Sequence, residues 1–171
     1  MGITLLEPVP RMDIFLAAFD DVPDPRADNA RHDLGELLVV AFVAVLCGVV
    51  SCAEMADFGR AKEHVFRGFL KLRHAIPSHD TFSTVFRMID PMVPDAAFGR
   101  VLAEIAARLG NREDAARNRK DTGPANIAIL RRCALDLART DTSKGSLSIK
   151  LKRAGWSDAF LLSLLNQLAK V

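Results

Sequence analysis

An all-α fold follows from three features of the 171-residue sequence. Apolar residues recur at i, i+3, i+4 and i+7 in segment after segment, the spacing of one helix face. No run alternates polar and apolar residues over the length of a strand. There is no Tyr and one Trp, while Ala, Leu and Arg abound, a composition of helix formers. Half hydrophobic and 26% charged, the chain is globular rather than disordered.

The first helix is expected at about Arg11 to Phe19, followed by a polar loop punctuated by Pro23 and Pro25. "LLVVAFVAVLCGVV", Leu37 to Val50, is the most apolar stretch, and its helix is expected to run from about Leu34 to Val50. A membrane span needs about 20 such residues, so this segment reads as the buried central helix of a bundle. In "SCAEMADFGRAKEHVFRGFLKL", Met55, Phe58, Val65, Phe66, Phe69 and Leu70 fall at helical spacing. Lys62, Arg67 and Lys71 belong to its wetter faces, and Gly59 and Gly68 favour two short helices over one.

"IPSHDTFSTVFRMIDP" sets Ser78, His79 and Asp80 side by side. Consecutive residues at a helix start point about 100° apart around the axis, so the three cannot converge as a catalytic triad must. Nor is there a GxSxG turn. The local reading is structural: Pro77 blocks the preceding helix, Ser78 caps a new one, and Asp80 meets the positive end of its dipole. Phe82, Val85, Phe86 and Ile89 then form the apolar stripe of a helix ending near Asp90-Pro91.

"PDAAFGRVLAEIAARLGN" is the next helix, with Pro94 near its start and Gly110 at its end; Phe98, Val101, Leu102, Ile105 and Leu109 form its stripe. A charged, core-poor stretch, "NREDAARNRKDTG", follows. "PANIAILRRCALDLART" restarts as a helix, "GSLSIKLKRAG" is short and basic, and "WSDAFLLSLLNQLAKV" closes as an amphipathic helix capped by Ser157. The three cysteines, Cys47, Cys52 and Cys133, make no CxxC pair, and four histidines supply no zinc spacing. With no secretory leader in view, this cysteine usage predicts a reducing cytoplasm. The net charge of +2 is uneven: twelve Lys/Arg face six Asp/Glu after residue 110, and eleven face fifteen before it. A basic tail on a mildly acidic domain fits either a polyanion partner or a solvated helix face.

These segments, in order, resemble the H-repeat-associated, ISAs-type transposases of bacterial insertion sequences, which are DDE enzymes. The N-terminal resemblance runs from Asp24 to Arg108 through "DPR" (Asp24 to Arg26), His32 with Leu34, "AVLCG", "EMADFGRAK" and "IPSHDTFSTVFRMIDP". Ala75 stands where that signature usually has Gly, so a different turn is expected there. The C-terminal resemblance runs from Glu113 to about Leu165 through Glu113-Asp114, Arg117, Arg119, Gly123, Asn126, Arg131-Arg132, Ala134, Leu135 and "SLSIKLKRAGW", with Asp136 in place of a usual Asn.

The resemblance implies a ribonuclease-H-like core between these two parts, and none of its catalytic carboxylates is present: Arg108 to Asn111 runs almost directly into Glu113-Asp114. The chain therefore reads as an in-frame deletion derivative. Residues 1–109 form a helical transposase-associated domain, 110–123 a charged linker at the seam, and 124–171 a helical C-terminal remnant. Family enzymes hold Mg2+ on converging carboxylates. Asp20-Asp21, Glu113-Asp114, Asp80 and Asp90 match that need by residue type alone, so no metal, no cofactor and no catalytic residue is expected. The expected partners are DNA, intact transposase or a second copy, and no membrane.

For DNA, the helices on either side of "IPSHDT" could be arranged as a helix-turn-helix, its second helix starting at Ser78. His79, Thr81, Ser83, Thr84 and Arg87 then face bases, and Arg60, Lys62, Arg67, Lys71 and Arg73 face phosphates. Lys150, Lys152 and Arg153 form a second basic run. The plainer reading makes all of these ordinary surface residues. The C-terminal helices, deprived of the core they evolved against, are expected to pack loosely.

Overall fold

The computed structural model describes residues 13–26, 28, 30–109 and 122–168. Among them there are nine helices and no strand: α1 (Asp13–Phe19), α2 (Leu34–Leu46), α3 (Cys52–Ala61), α4 (Glu63–Phe66), α5 (His79–Met88), α6 (Met92–Leu109), α7 (Thr122–Thr140), α8 (Leu147–Trp156) and α9 (Asp158–Leu168). The all-α expectation holds. The charged stretch 110–121, with Gly110 and Glu113-Asp114, lies outside the described residues.

α2 is the axis of the molecule. Every residue from Leu37 to Leu46 is buried, which is why its sequence is apolar on all faces rather than striped. Asp33 caps its start, accepting from the Glu36 N–H at 2.9 Å. It stops four residues earlier than its apolar sequence predicts. Gly48 takes φ +90°, its N–H bonds the Val45 carbonyl at 2.9 Å, and the Val49 N–H reaches back to Ala44 at 3.0 Å. That is a Schellman closure, which a left-handed glycine permits and continued helix does not. Thirteen residues make a rod of about 20 Å, and no described helix is long and apolar enough to cross a membrane.

The layers around α2 are α1, α3, α7 and α8. α1 is fastened by rings: Phe15 lies 4.7 Å from Phe42 and 5.5 Å from Phe98, and Phe19 lies 5.0 Å from Phe98. Arg100 reaches from α6 to donate to the Ala18 carbonyl at 2.7 Å. α3 begins with a capping box between Ser51 and Glu54 and breaks at Lys62 before α4, as its glycines suggested. Gly59 has a reason beyond propensity: a Cβ there would sit 2.6 Å from Ile76 Cγ2 and 3.3 Å from Val40 Cγ1. The missing side chain lets α3 settle against both α2 and the segment leading into α5.

The C-terminal helices do not pack loosely. α7 lies along α2, α6 and α5, and Leu130, Cys133, Ala134, Leu137 and Ala138 are buried in the same core as α2. Asn126, itself buried, donates from Nδ2 to the carbonyls of Phe86 at 3.0 Å and Ile89 at 3.2 Å. Phe86 lies in the last turn of α5 and Ile89 is its C-cap, where carbonyls have no partner within their own helix. The expectation of loose packing failed because it treated α7 as belonging to a departed partner. Its apolar stripe matches α2 and α6 directly. At the start of α9, Asp158 accepts from Lys62 and lies 3.1 Å from His64 Nε2, tying the final helix to the α3–α4 corner.

Candidate nucleic-acid interface

The start of α5 is structural, as its sequence predicts. Ser78 Oγ accepts the Thr81 N–H at 3.3 Å and shares a hydrogen bond with the Thr81 hydroxyl at 3.0 Å. His79 and Asp80 pair at 3.2 Å in solvent. Phe82, Val85, Phe86 and Ile89 are buried against α3 and α7. His79 and Arg87 are exposed, while Thr81, Ser83 and Thr84 are half-buried. Residues 67–78 connect α4 to α5, longer than the three- or four-residue turn of a tight helix-turn-helix.

That connection carries a more informative arrangement. Glu36, from the first turn of α2, accepts the N–H groups of Lys71 at 2.7 Å and Leu72 at 3.3 Å. Leu72 and Ala75 take φ +42° and +60°, and the Ala75 N–H closes a turn onto the Leu72 carbonyl at 3.1 Å. Ala75 thus holds a left-handed geometry for which glycine is the natural residue. His32 bonds the Ala75 backbone, and its ring meets that of His74 edge-on at 6.2 Å. Arg26 pairs with Asp24 at 2.6 Å and donates to the His32 carbonyl at 2.7 Å.

Between these two loops runs a cleft of about 780 Å³. Three of its acids are spent on the fold: Asp24 on Arg26, Asp33 on the cap of α2, Glu36 on the 71–72 backbone. The Arg26 guanidinium holds Asp24 below the usual carboxylate range. Burial, with the neighbouring charges of His74 and Arg26, pushes His32 below the ordinary imidazole value. Arg31, Lys71 and Arg73 line the same cleft, are exposed, and make no side-chain ion pair among the described residues. The cleft therefore presents three cations without a direct carboxylate partner, although with Asp20 its lining holds four acids and carries no net positive charge.

Of the residues singled out from sequence, Lys71 and Arg73 meet in this cleft, together with Arg31, His32 and His74, which sequence reasoning did not group with them. The others are dispersed. Arg60 pairs with Asp57, Arg67 with Glu63 at 2.6 Å, and Lys62 with Asp158. Lys150 was expected on the surface and is only 7% exposed, its ammonium held by the Asp141 carbonyl and by the Asp141 carboxylate at 3.2 Å. Lys152 is exposed, and the Arg153 guanidinium lies over the Phe160 ring at 4.2 Å.

Catalytic metal chemistry finds no donor set in the described residues. Among the described residues no three His, Cys, Asp or Glu side chains gather as a metal would require, and at the cleft Asp24, Asp33 and Glu36 are committed to Arg26 and to backbone N–H groups. The thiols are poor nucleophiles: burial pushes Cys47 up to about 12 and raises Cys133 further.

Comparison with known proteins bears on this arrangement. The family described as DDE_Tnp_1-associated matches residues 16–102, from α1 into α6. A protein of Xanthobacter autotrophicus, described as "Uncharacterized protein in dhlA 3'region", is 48% identical over 82 residues. That match covers 47% of this chain and only 28% of the relative, so the chain spans well under a third of that protein's length. No solved structure matches.

Proposed function

The chain belongs to the DDE_Tnp_1-associated family, and on that premise we propose that it is a truncated insertion-sequence transposase, catalytically inactive alone, that binds DNA. The family match carries the transposase-related role. Inactivity is supported by the short interval between α6, which ends at Leu109, and α7, which begins at Thr122. A ribonuclease-H-like sheet needs far more chain than the twelve residues between these helices, and strand transfer needs carboxylates converging on divalent metal.

DNA binding is supported by the cleft. Arg31, Lys71 and Arg73 offer phosphate contacts from a backbone pinned by Glu36, so little side-chain-bearing loop must be ordered on binding. The test is binding of the purified chain to DNA flanking its own gene and to scrambled DNA, across a salt titration. Preference for the flanking DNA, with a salt slope that falls by about 2 in a K71A/R73A variant, is the expected result. Absence of binding at low salt overturns it.

A second reading, pairing with intact transposase, is favoured by Met88 and Met92, 48% and 78% exposed at the α5–α6 corner. A complex that forms without DNA and is indifferent to salt would select it.

A further inference from the structure

We propose that the outer face of α8 is a stacking platform for unpaired nucleotides, separate from the cleft and outside the residues matched by the family. Trp156 is the chain's one tryptophan, and it is 82% exposed, whereas large indoles are ordinarily well covered. Ile149, Lys152 and Arg153 precede it by seven, four and three residues, the spacings that put side chains on one helix face. Ile149 is 58% exposed, and Lys152 and Arg153 are both exposed.

The opposite side of the helix is fixed. Ala154 is buried, Lys150 is anchored to Asp141, and Leu147 and Leu151 pack against the core. Gly155 brings the backbone so close to the end of α2 that a Cβ would lie 3.4 Å from the Cys47 carbonyl. Ser146 caps the start, accepting from the Ile149 N–H. The indole is thus displayed from a rigid element rather than a wandering loop.

The charge pattern selects the occupant. α8 contains no Asp or Glu, and the nearby Asp158 is held by Lys62 and His64. Arg153 keeps its guanidinium over the Phe160 ring, 4.2 Å from its centroid, and is itself exposed. An aromatic face with cations one turn away is the chemistry that binds a single strand: bases stack on the ring and phosphates meet the cations. A purely apolar partner leaves Lys152 and Arg153 without a complement, and duplex DNA offers its bases only by unstacking them.

Because Trp156 is the sole tryptophan, fluorescence reports this face alone. The chain is titrated at low salt with a dT oligonucleotide of about ten residues, with an abasic oligomer of equal length, and with a blunt duplex. Strong quenching by oligo-dT and little by the abasic strand or the duplex is the expected result. Trp156→Ala, checked for unchanged helicity, then weakens binding of labelled oligo-dT by roughly 5- to 150-fold, with Trp156→Phe intermediate. Equal quenching by the abasic strand, or no quenching by oligo-dT, overturns the proposal. So does a fluorescence shift that depends on protein concentration without DNA, which marks a second copy on this face. Duplex binding at the cleft with silent Trp156 fluorescence leaves the proposed function standing whatever α8 does.

Discussion

Gly59→Ala pits two effects of opposite sign against each other. Alanine is favoured over glycine in a helix interior by about 0.8–1.0 kcal/mol, so propensity alone predicts a gain. The new Cβ, however, arrives 2.6 Å from Ile76 Cγ2 and 3.3 Å from Val40 Cγ1, against the ~3.5–4.0 Å at which carbons rest. Cγ2 is fixed to a branched Cβ and has one stiff torsion. Ile76 itself is held between the left-handed Ala75 and Pro77. Overpacking of this kind costs about 1–3 kcal/mol, and an overlap near 1 Å belongs in the upper part of that range. The net expectation is a loss of about 1–2 kcal/mol. Ile76→Ala costs about 2–4 kcal/mol by itself but removes the obstructing methyl, so Gly59→Ala made in that background gains up to about 1 kcal/mol. The sign reverses. Urea unfolding midpoints of the four proteins measure it, with an expected coupling of about 2 kcal/mol. Additive effects, or a raised midpoint for the single variant, would refute the packing argument.

Ala75→Gly runs the other way: relieving a left-handed alanine should stabilise by about 0.5–1 kcal/mol, read as a higher Tm. Lys150→Ala leaves the Asp141 carbonyl without its donor and the Asp141 carboxylate with Ser143 alone and should cost about 1–3 kcal/mol, whereas Lys152→Ala, on the exposed face, should stay within about 0.5 kcal/mol; equal effects in denaturation would contradict the burial difference. Lys62, then His64, hold Asp158 below its ordinary carboxylate value. The unfolded chain therefore binds the proton more readily, and stability rises with pH. The contribution is complete above the unfolded value of about 3.9 and is lost as pH falls through the lowered one. Asp158→Asn should flatten the acid limb of a stability–pH curve there and leave neutral pH otherwise unaltered in slope.

Local chemistry was legible where one segment carried all of it. Ser78 and Ser157 announce their helices because capping needs only a hydroxyl and the next turn; the Phe160 N–H does bond Ser157 Oγ at 3.3 Å. The stripes of α5 and α9 follow from spacing alone. The end of α2 was misread because Val49 and Val50 continue the apolar run, and hydrophobicity masked what Gly48 does to the backbone. Lys150 looks like its neighbour Lys152, and only the fold of the 141–146 turn tells them apart. The cleft joins residues 31–36 to residues 69–77, about forty positions away, and no periodicity links them. Asn126 was visible as a shared letter of a resemblance, yet its work, closing the last turn of α5, is apparent only once α7 is in place.

That last contact changes what the interval between α6 and α7 means. The terminal helices are not offcuts beside an N-terminal domain but part of its wall, with α7 against the central rod and Asn126 sealing a helix from the other half of the chain. The junction between those two helices is thus a place where the connecting chain can vary in length without disturbing the fold. The entropic penalty of closing such a loop grows only with the logarithm of its length. A change in the length of chain at that place spares the core, because neither α6 nor α7 depends on it for its packing there.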